Sequence, residues 1–328
     1  MQLIQDHASH FAKGEAVDAA EQPREAPAWP ARRAIKMWDG EASVVAWEKA
    51  DARAASLLFA HANGFNALTY RSLLGGLADG LRIFATDLRG HGKTTLAANP
   101  KGMTSWLIYR DDILRLVQEL DGRPKILAGH SMGATVNLLA ALSRPDWAAG
   151  LVLIEPVILP PRDLRWLRIM RALGFGERLF PMVAKAKKRR SIWPSEQAMF
   201  DAYRGRGAFR TWPEEVVRDY VLGGTVDYFD DGQVRLACTP GWEAANYGAG
   251  PPDIWEDLAN LRCPTTLIVG AKRSTCPEPV IEMMLRVKPD LTVVRVADAS
   301  HFLPMEFPEV VRHEIRALAE ITQPRPTD

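Results

Sequence analysis

The sequence predicts an α/β fold, a mostly parallel sheet with helices on both faces and a helical segment inserted into it. Three observations carry this expectation. Short apolar runs alternate with helix-period segments from Ser56 to Ile154. The alternation then stops between Val157 and Pro252, where helix-like segments dominate. It resumes at Thr265 and closes with a helix at Pro308–Ile321.

Taken in order, Met1 to Ala31 is rich in Ala, Glu and Pro with little periodicity, and reads as a flexible or loosely docked extension. Strand-like runs at Ala34–Trp38 and Ala42–Trp47 flank Asp39-Gly40, a hairpin turn signal. Ser56–Ala60 (SLLFA) is continuously apolar, like a strand buried on both faces of a parallel sheet. A helix around Tyr70–Ala78, a strand at Leu81–Thr86 and a helix over Thr104–Leu120 follow. Ile126–Ala128 and Gly150–Ile154 read as further buried strands, separated by a helix at Ala134–Leu142. Within the insertion, Arg162–Leu173 and Arg178–Arg190 read as helices. Thr211-Trp212-Pro213-Glu214 reads as a T-x-x-E capping box opening another. Asp230-Asp231-Gly232 predicts a small hairpin. Thr265–Val269 and Leu291–Val296 complete the strands, with a helix at Pro279–Val287 between them.

The bulk properties exclude several classes. A net charge of +1 gives no electrostatic reason to expect nucleic acid or an acidic partner. Three scattered cysteines form neither a disulfide framework nor a CxxC metal pair. The N-terminal residues lack the basic start and apolar stretch of a signal peptide, and no run reaches the roughly 20 apolar residues of a membrane span. The expectation is a soluble, cytoplasmic protein acting on a small molecule, without metal or cofactor; oligomeric state is not legible.

The stretch Lys125–Gly133 (KILAGHSMG) carries the chemistry. A serine between a buried strand and a helix, with Gly two residues away on either side, fits the nucleophile elbow, G-x-S-x-G. The turn is so tight that side chains at the flanking positions would collide. The hydroxyl of Ser131 is pushed out above the sheet at the positive end of a helix.

Four stretches in this order, HANGF (His61–Phe65), DLRGHGKT (Asp87–Thr94), GHSMGA (Gly129–Ala134) and DASHFLPMEFP (Asp298–Pro308), resemble an α/β-hydrolase with a helical cap. The resemblance covers about residues 32–322. It implies a core of residues 32–156 and 253–328 and a cap of residues 157–252. It also implies Ser131 as nucleophile and His301 as general base. The acid departs from the family's common pattern. The loop Gly270–Cys276, where an Asp is usual, has no carboxylate. A second location known in the superfamily, seen in a subgroup of haloalkane dehalogenases, is the end of the strand after the nucleophile helix; here that is Glu155. Glu278 is the alternative acid, and a site without a working acid is the third possibility. The resemblance implies an oxyanion hole of the Met132 and Asn63 amides, with Gly64 or Phe65 next in line after Asn63. It gives His61 and His91 the task of bracing loops, with Asp87 and Arg89 holding the loop they sit in. Phe65, His130 and Phe302 are expected to line the pocket. Cap residues such as Trp166, Trp193, Trp212 and Trp242 pack the cap helices, and some roof the pocket. The basic run Lys185–Arg190 reads as a solvated helix end, with a membrane or anionic-ligand role as the alternative.

The implied reaction is ester hydrolysis through an acyl-enzyme, on an apolar ester or related acyl substrate. Epoxide hydrolysis and dehalogenation use an Asp nucleophile in this family, and this chain has Ser. Cleavage of an amide or of a carbon–carbon bond stays open on the same triad, as do a low-turnover ligand receptor and a scaffold with a dead site.

Overall fold

The computed structural model describes residues 29–52, 54–123, 125–173, 181–229 and 232–322. The expected N-terminal extension falls almost wholly outside these residues, as do Asp230, Asp231 and the segment 174–180.

The chain opens with β1 (Ala31–Lys36) and β2 (Glu41–Trp47), an antiparallel hairpin closed by the Met37 amide donating to the Gly40 carbonyl at 2.9 Å. Then come β3 (Ser56–Ala60), a 3-10 turn, α1 (Arg71–Gly75), β4 (Arg82–Thr86), α2 (Leu107–Leu120), β5 (Lys125–His130), α3 (Met132–Ser143) and β6 (Ala148–Ile154). The insertion holds α4 (Pro161–Ala172), α5 (Pro181–Lys187), β7 (Ile192–Trp193), α6 (Glu196–Tyr203), α7 (Glu214–Gly224), β8 (Thr225–Asp227), β9 (Val234–Leu236) and α8 (Pro240–Ala249). The chain ends with β10 (Thr265–Lys272), α9 (Glu278–Val287), β11 (Thr292–Ser300), α10 (Leu303–Glu306) and α11 (Pro308–Thr322).

Eight strands form one sheet in the order β1-β2-β4-β3-β5-β6-β10-β11. Strands β4 through β11 in that order pair in parallel, and only the β1–β2 and β2–β4 pairs are antiparallel. Alternate residues of the central strands feed two cores. Leu58, Leu127, Leu153 and Leu267 face α2, α3 and α9. Leu57, Phe59, Ile126 and Ile268 face α1 and α11. Each fully buried Leu, Ile or Phe contributes about 1.5–3 kcal/mol. The sheet is therefore held from both sides, and its C-terminal edge becomes a rigid platform.

Two local expectations are corrected. The T-x-x-E box does not cap α7: its N-cap is Pro213, which offers no side-chain acceptor, and the Thr211 hydroxyl instead donates to Glu306 at 2.7 Å. The insertion also holds a three-stranded antiparallel sheet, β7-β9-β8, whose strands of two or three residues are too short to show a period. The expected hairpin is the β8–β9 pair of this sheet, although its tip lies outside the described residues.

Helix α8 is one of the elements that join the insertion to the core. Asn63 Nδ2 donates to the Glu243 carbonyl (3.1 Å), Trp242 Nε1 to the Arg89 carbonyl (2.8 Å) and Trp106 Nε1 to the Asn246 carbonyl (3.0 Å). The Tyr109 hydroxyl donates to Asn246 Oδ1 at 2.9 Å. All these groups are buried, so each unmade bond would leave a polar group stranded. Among the described residues no helix is long and apolar enough to cross a membrane.

Candidate active site

Ser131 sits between β5 and α3 with φ 56° and ψ −120°, a conformation that costs a non-glycine residue roughly 1–3 kcal/mol. Its neighbours hold it there. The Ser131 amide donates to the Ile154 carbonyl at 2.9 Å, and its carbonyl accepts from the Thr135 amide at 3.1 Å. A Cβ on Gly129 would lie 2.6 Å from the Gly133 carbonyl, and one on Gly133 would overlap the Ala60 carbonyl. The two glycines are thus demanded by strand and helix passing at contact distance.

His301 follows β11 and reaches the serine: its Nε2 lies 3.1 Å from Ser131 Oγ. On the other side, its Nδ1 faces Glu155 Oε2 at 3.1 Å, with the Thr275 hydroxyl oxygen at 3.3 Å. The carboxylate beside Nδ1 favours the tautomer protonated there, leaving Nε2 free to accept the serine proton. Glu155, directly after β6, is fully buried and itself takes a positive φ of 49°. Its Oε1 accepts from the Gly270 amide (2.6 Å) and the Ser274 hydroxyl (2.9 Å), and its Oε2 from the Thr275 amide (3.0 Å). Three donors besides the imidazole offset the cost of burying the charge. The same loop carries Arg273 at φ 58°, so three of the four described non-glycine residues with positive φ lie at this site. Glu278 is turned away. It pairs with Arg295 on the surface, Oε1 2.6 Å from the guanidinium, which holds its carboxyl below the usual range.

Around Asn63, two of the three candidate amides are already engaged. Gly64 N–H donates to His91 Nε2 (3.0 Å) and Phe65 N–H to the Ala62 carbonyl (3.1 Å). Among the described residues, no acceptor takes the Asn63 or Met132 amide. The two loops brace each other reciprocally. His61 Nε2 accepts from the Leu88 amide (2.9 Å) while His91 holds Gly64. Burial keeps both rings neutral, pulling His61 down to about 4 and His91 to about 3. Asp87 accepts from the amides of Ala67 (2.8 Å) and Lys93 (3.0 Å), and Arg89 clasps Asp112 with two bonds at 2.9 and 2.8 Å.

His130 does not line a pocket. It is fully buried, with Nδ1 accepting from the Tyr70 hydroxyl (2.7 Å) and Nε2 donating to the His301 carbonyl (2.7 Å). Burial, with the nearby His301 ring, pushes its pKa well down. The Tyr70 oxygen in turn accepts from the Ala62 amide at 3.2 Å. A chain of hydrogen bonds thus runs from the loop of Asn63 to the loop of His301. Nothing in the sequence singled out Tyr70. The hydroxyls of Ser274 and Thr275 were visible only as residues filling a loop that lacks its usual carboxylate.

Phe65 and Phe302 do stand together, ring centroids 6.4 Å apart and nearly parallel, with Trp212 of the insertion edge-on to both at 5.3 and 5.5 Å. Phe302 is 5.8 Å from the His301 ring, so this apolar wall borders the imidazole. Trp166, by contrast, is half exposed on the outer face of α4, and Trp193 and Trp242 are buried in packing. Arg189 departs from the solvated run Lys185–Arg190. It is paired with Glu243 and donates to the Tyr220 hydroxyl (2.7 Å), which donates to the Gly64 carbonyl (3.2 Å). A groove of about 750 Å³ between α4 and the ends of α2 and α3 does not include Ser131, which is itself nearly covered. Among the described residues no group of three or more His, Cys, Asp or Glu side chains is arranged to hold a metal ion.

Comparison with known proteins agrees with this architecture. The chain is 25% identical over 255 residues to the 2-(acetamidomethylene)succinate hydrolase of Mesorhizobium japonicum, covering 77% of this chain and 84% of that protein. It is 21% identical over 267 residues to the (E)-2-((N-methylformamido)methylene)succinate hydrolase of Acinetobacter baylyi, covering 81% and 90% of the two chains. The human monoglyceride lipase matches at 32% identity over 134 residues, 38% of this chain and 43% of that one. Among solved structures, an E-2-(acetamidomethylene)succinate hydrolase superposes with a TM-score of 0.73 at 22% identity, covering 89% of this chain and 99% of the other. The family model of the α/β hydrolases matches residues 57–314, from β3 to within α11, and the chain belongs to that family of hydrolases.

Proposed function

We propose that the chain is a serine hydrolase that cleaves a carboxylic ester through an acyl-enzyme. One observation supports this above the others: Ser131 Oγ, His301 and Glu155 in line, with both contacts at 3.1 Å and the serine held on a strained elbow. In this reading His301 Nε2 takes the serine proton as Oγ attacks the acyl carbon, and Glu155 stabilises the imidazolium. The Met132 and Asn63 amides receive the oxyanion, each contributing about 3 kcal/mol to the transition state. The imidazolium then protonates the leaving alcohol. Water, deprotonated by the same Nε2, attacks the acyl carbon, and the acid leaves as Ser131 regains its proton. Residues 157–252 are the cap in this reading, on a core of 32–156 and 253–328. Phe65, Phe302 and Trp212 offer the substrate an apolar wall.

Amide hydrolysis is the second reading. It is favoured by the two relatives matched over more than four fifths of their length, whose names carry acetamido and formamido groups. Both readings use the same residues and differ in the leaving group that His301 must protonate.

The test is labelling with a fluorophosphonate, followed by turnover of p-nitrophenyl esters of graded chain length beside the matching anilides. Labelling at Ser131 with ester turnover well above that of the anilides is the expected result. Anilides turned over as well as esters would install the second reading. Failure to label at all would remove both.

A further inference from the structure

Helix α4 is amphipathic on two opposite sides. Leu164, Leu167 and Arg171, at helical spacing, face inward over the groove. Leu167 packs beside Gly250, and Arg171 reaches the carbonyls of Ala249 and Thr104. On the opposite side, residues 162, 166, 169 and 173 form one stripe. Three of its members are large and apolar yet exposed: Trp166 at 51%, Ile169 at 59% and Leu173 at 63%. Single exposed apolar residues are ordinary, but three in one stripe on one helix mark a contact surface.

Charge identifies the contact. Residues 161–173 and 181–190 hold nine Lys and Arg against one Asp, in a chain whose net charge is only +1, and seven of the nine remain once the inward Arg171 and the Glu243-paired Arg189 are set aside. Helix α5 packs on the same helix α8, Val183 meeting Gly248 two residues before the Gly250 that Leu167 meets. Arg162, Arg165, Lys185 and Lys188 are all exposed. Arg162 and Arg165 are interleaved with the apolar stripe itself. Long basic side chains extend from a lipid-buried helix toward headgroups, and Trp favours that same boundary.

We propose that α4, flanked by α5, is a docking face for an anionic phospholipid bilayer. The helix lies flat in the headgroup region. Trp166, Ile169 and Leu173 enter the acyl boundary, and the surrounding Lys and Arg meet lipid phosphates.

The experiment is cosedimentation of the full chain with large unilamellar vesicles. One set is phosphatidylcholine alone, and the other contains about 30% phosphatidylglycerol. The wild type is expected to bind the mixed vesicles at least about tenfold better than the neutral ones, with binding weakened by salt. W166S/I169S/L173S should bind the mixed vesicles at least about tenfold less while melting within a few degrees of wild type, since these side chains contribute little to packing. R162Q/R165Q/K185Q/K188Q, all at exposed positions, should also bind less and lose most of the salt dependence. Absence of binding to the mixed vesicles, equal binding to neutral ones, or a triple variant that binds like wild type would overturn the proposal. So would a concentration-dependent dimer, without vesicle binding, that the triple variant abolishes; a second copy of the chain would then be the occupant.

Discussion

The ends of β6 and β10 lie side by side in the sheet, and they divide one task between them. The β6 end supplies a carboxylate and no hydroxyl; the loop after β10 supplies hydroxyls and amides and no carboxylate. Glu155 reaches across, and Gly270, Ser274 and Thr275 close around it. A buried acid beside a histidine needs a place within reach of Nδ1 and enough donors to hold its charge. It does not need a particular strand. Two neighbouring strand ends can exchange the two halves of this requirement so long as both halves remain present.

Five expected outcomes break or sharpen that comparison. The largest belongs to the group both strand ends serve: Ser131→Ala should lower ester turnover by about 10⁶, and residual turnover within tenfold of wild type would remove Ser131 from the reaction. Next, Glu155→Gln should cost about 10⁴ in kcat, because an amide oriented by the same donors favours the wrong tautomer. Third, the ends of β3 and β4 provide a second case of reciprocal loops, with neutral His61 and His91 as the fasteners. Their pKa values are below the unfolded value of about 6.5, so the unfolded chain binds more protons between pH 6.5 and about 4. Stability should therefore fall as pH drops through this window, by up to about 1.4 kcal/mol per pH unit for each histidine. Asp219, raised by burial to about 6, works in the opposite sense and offsets part of the loss. Urea midpoints across this range test the sign, and a midpoint that rises on acidification would refute it. Fourth, Thr275 Oγ1 is 3.3 Å from His301 Nδ1, so Glu155→Gln/Thr275→Asp should recover about tenfold over Glu155→Gln alone by moving the acid to the β10 side. No recovery would mean that the two ends are not interchangeable. The smallest effect is at Glu278, whose partner is Arg295: Glu278→Gln should leave turnover within about twofold of wild type, as exposed pairs contribute little.

Much of this was legible in the sequence because strong local constraints produced it. Continuous apolar runs marked the buried strands, and Gly129 and Gly133 marked a turn that no side chain could enter. Glu155 stood out through the resemblance to the subgroup that carries its acid at the end of this strand. Its partners did not stand out: Ser274 and Thr275 have meaning only once β10 lies beside β6, across about 120 residues of chain. His130 was misplaced for a related reason. Its position in the elbow is fixed by sequence, but the side of the strand it faces, toward Tyr70, depends on tertiary packing. Of the small sheet β7-β9-β8 the hairpin was expected, and β7 was missed because two residues cannot show alternation. The Thr211 cap failed because Glu306, distant in sequence, competed for the hydroxyl.

The chain from the Ala62 amide through Tyr70 and His130 to the His301 carbonyl has a kinetic corollary. The loop of Asn63 and the loop of His301 are fastened to one buried rod. Neither can loosen without straining the other, so partly competent molecules should be scarce during heat inactivation. Remaining activity would then count intact molecules, and active-site titration would decay in parallel with turnover rather than lag behind it.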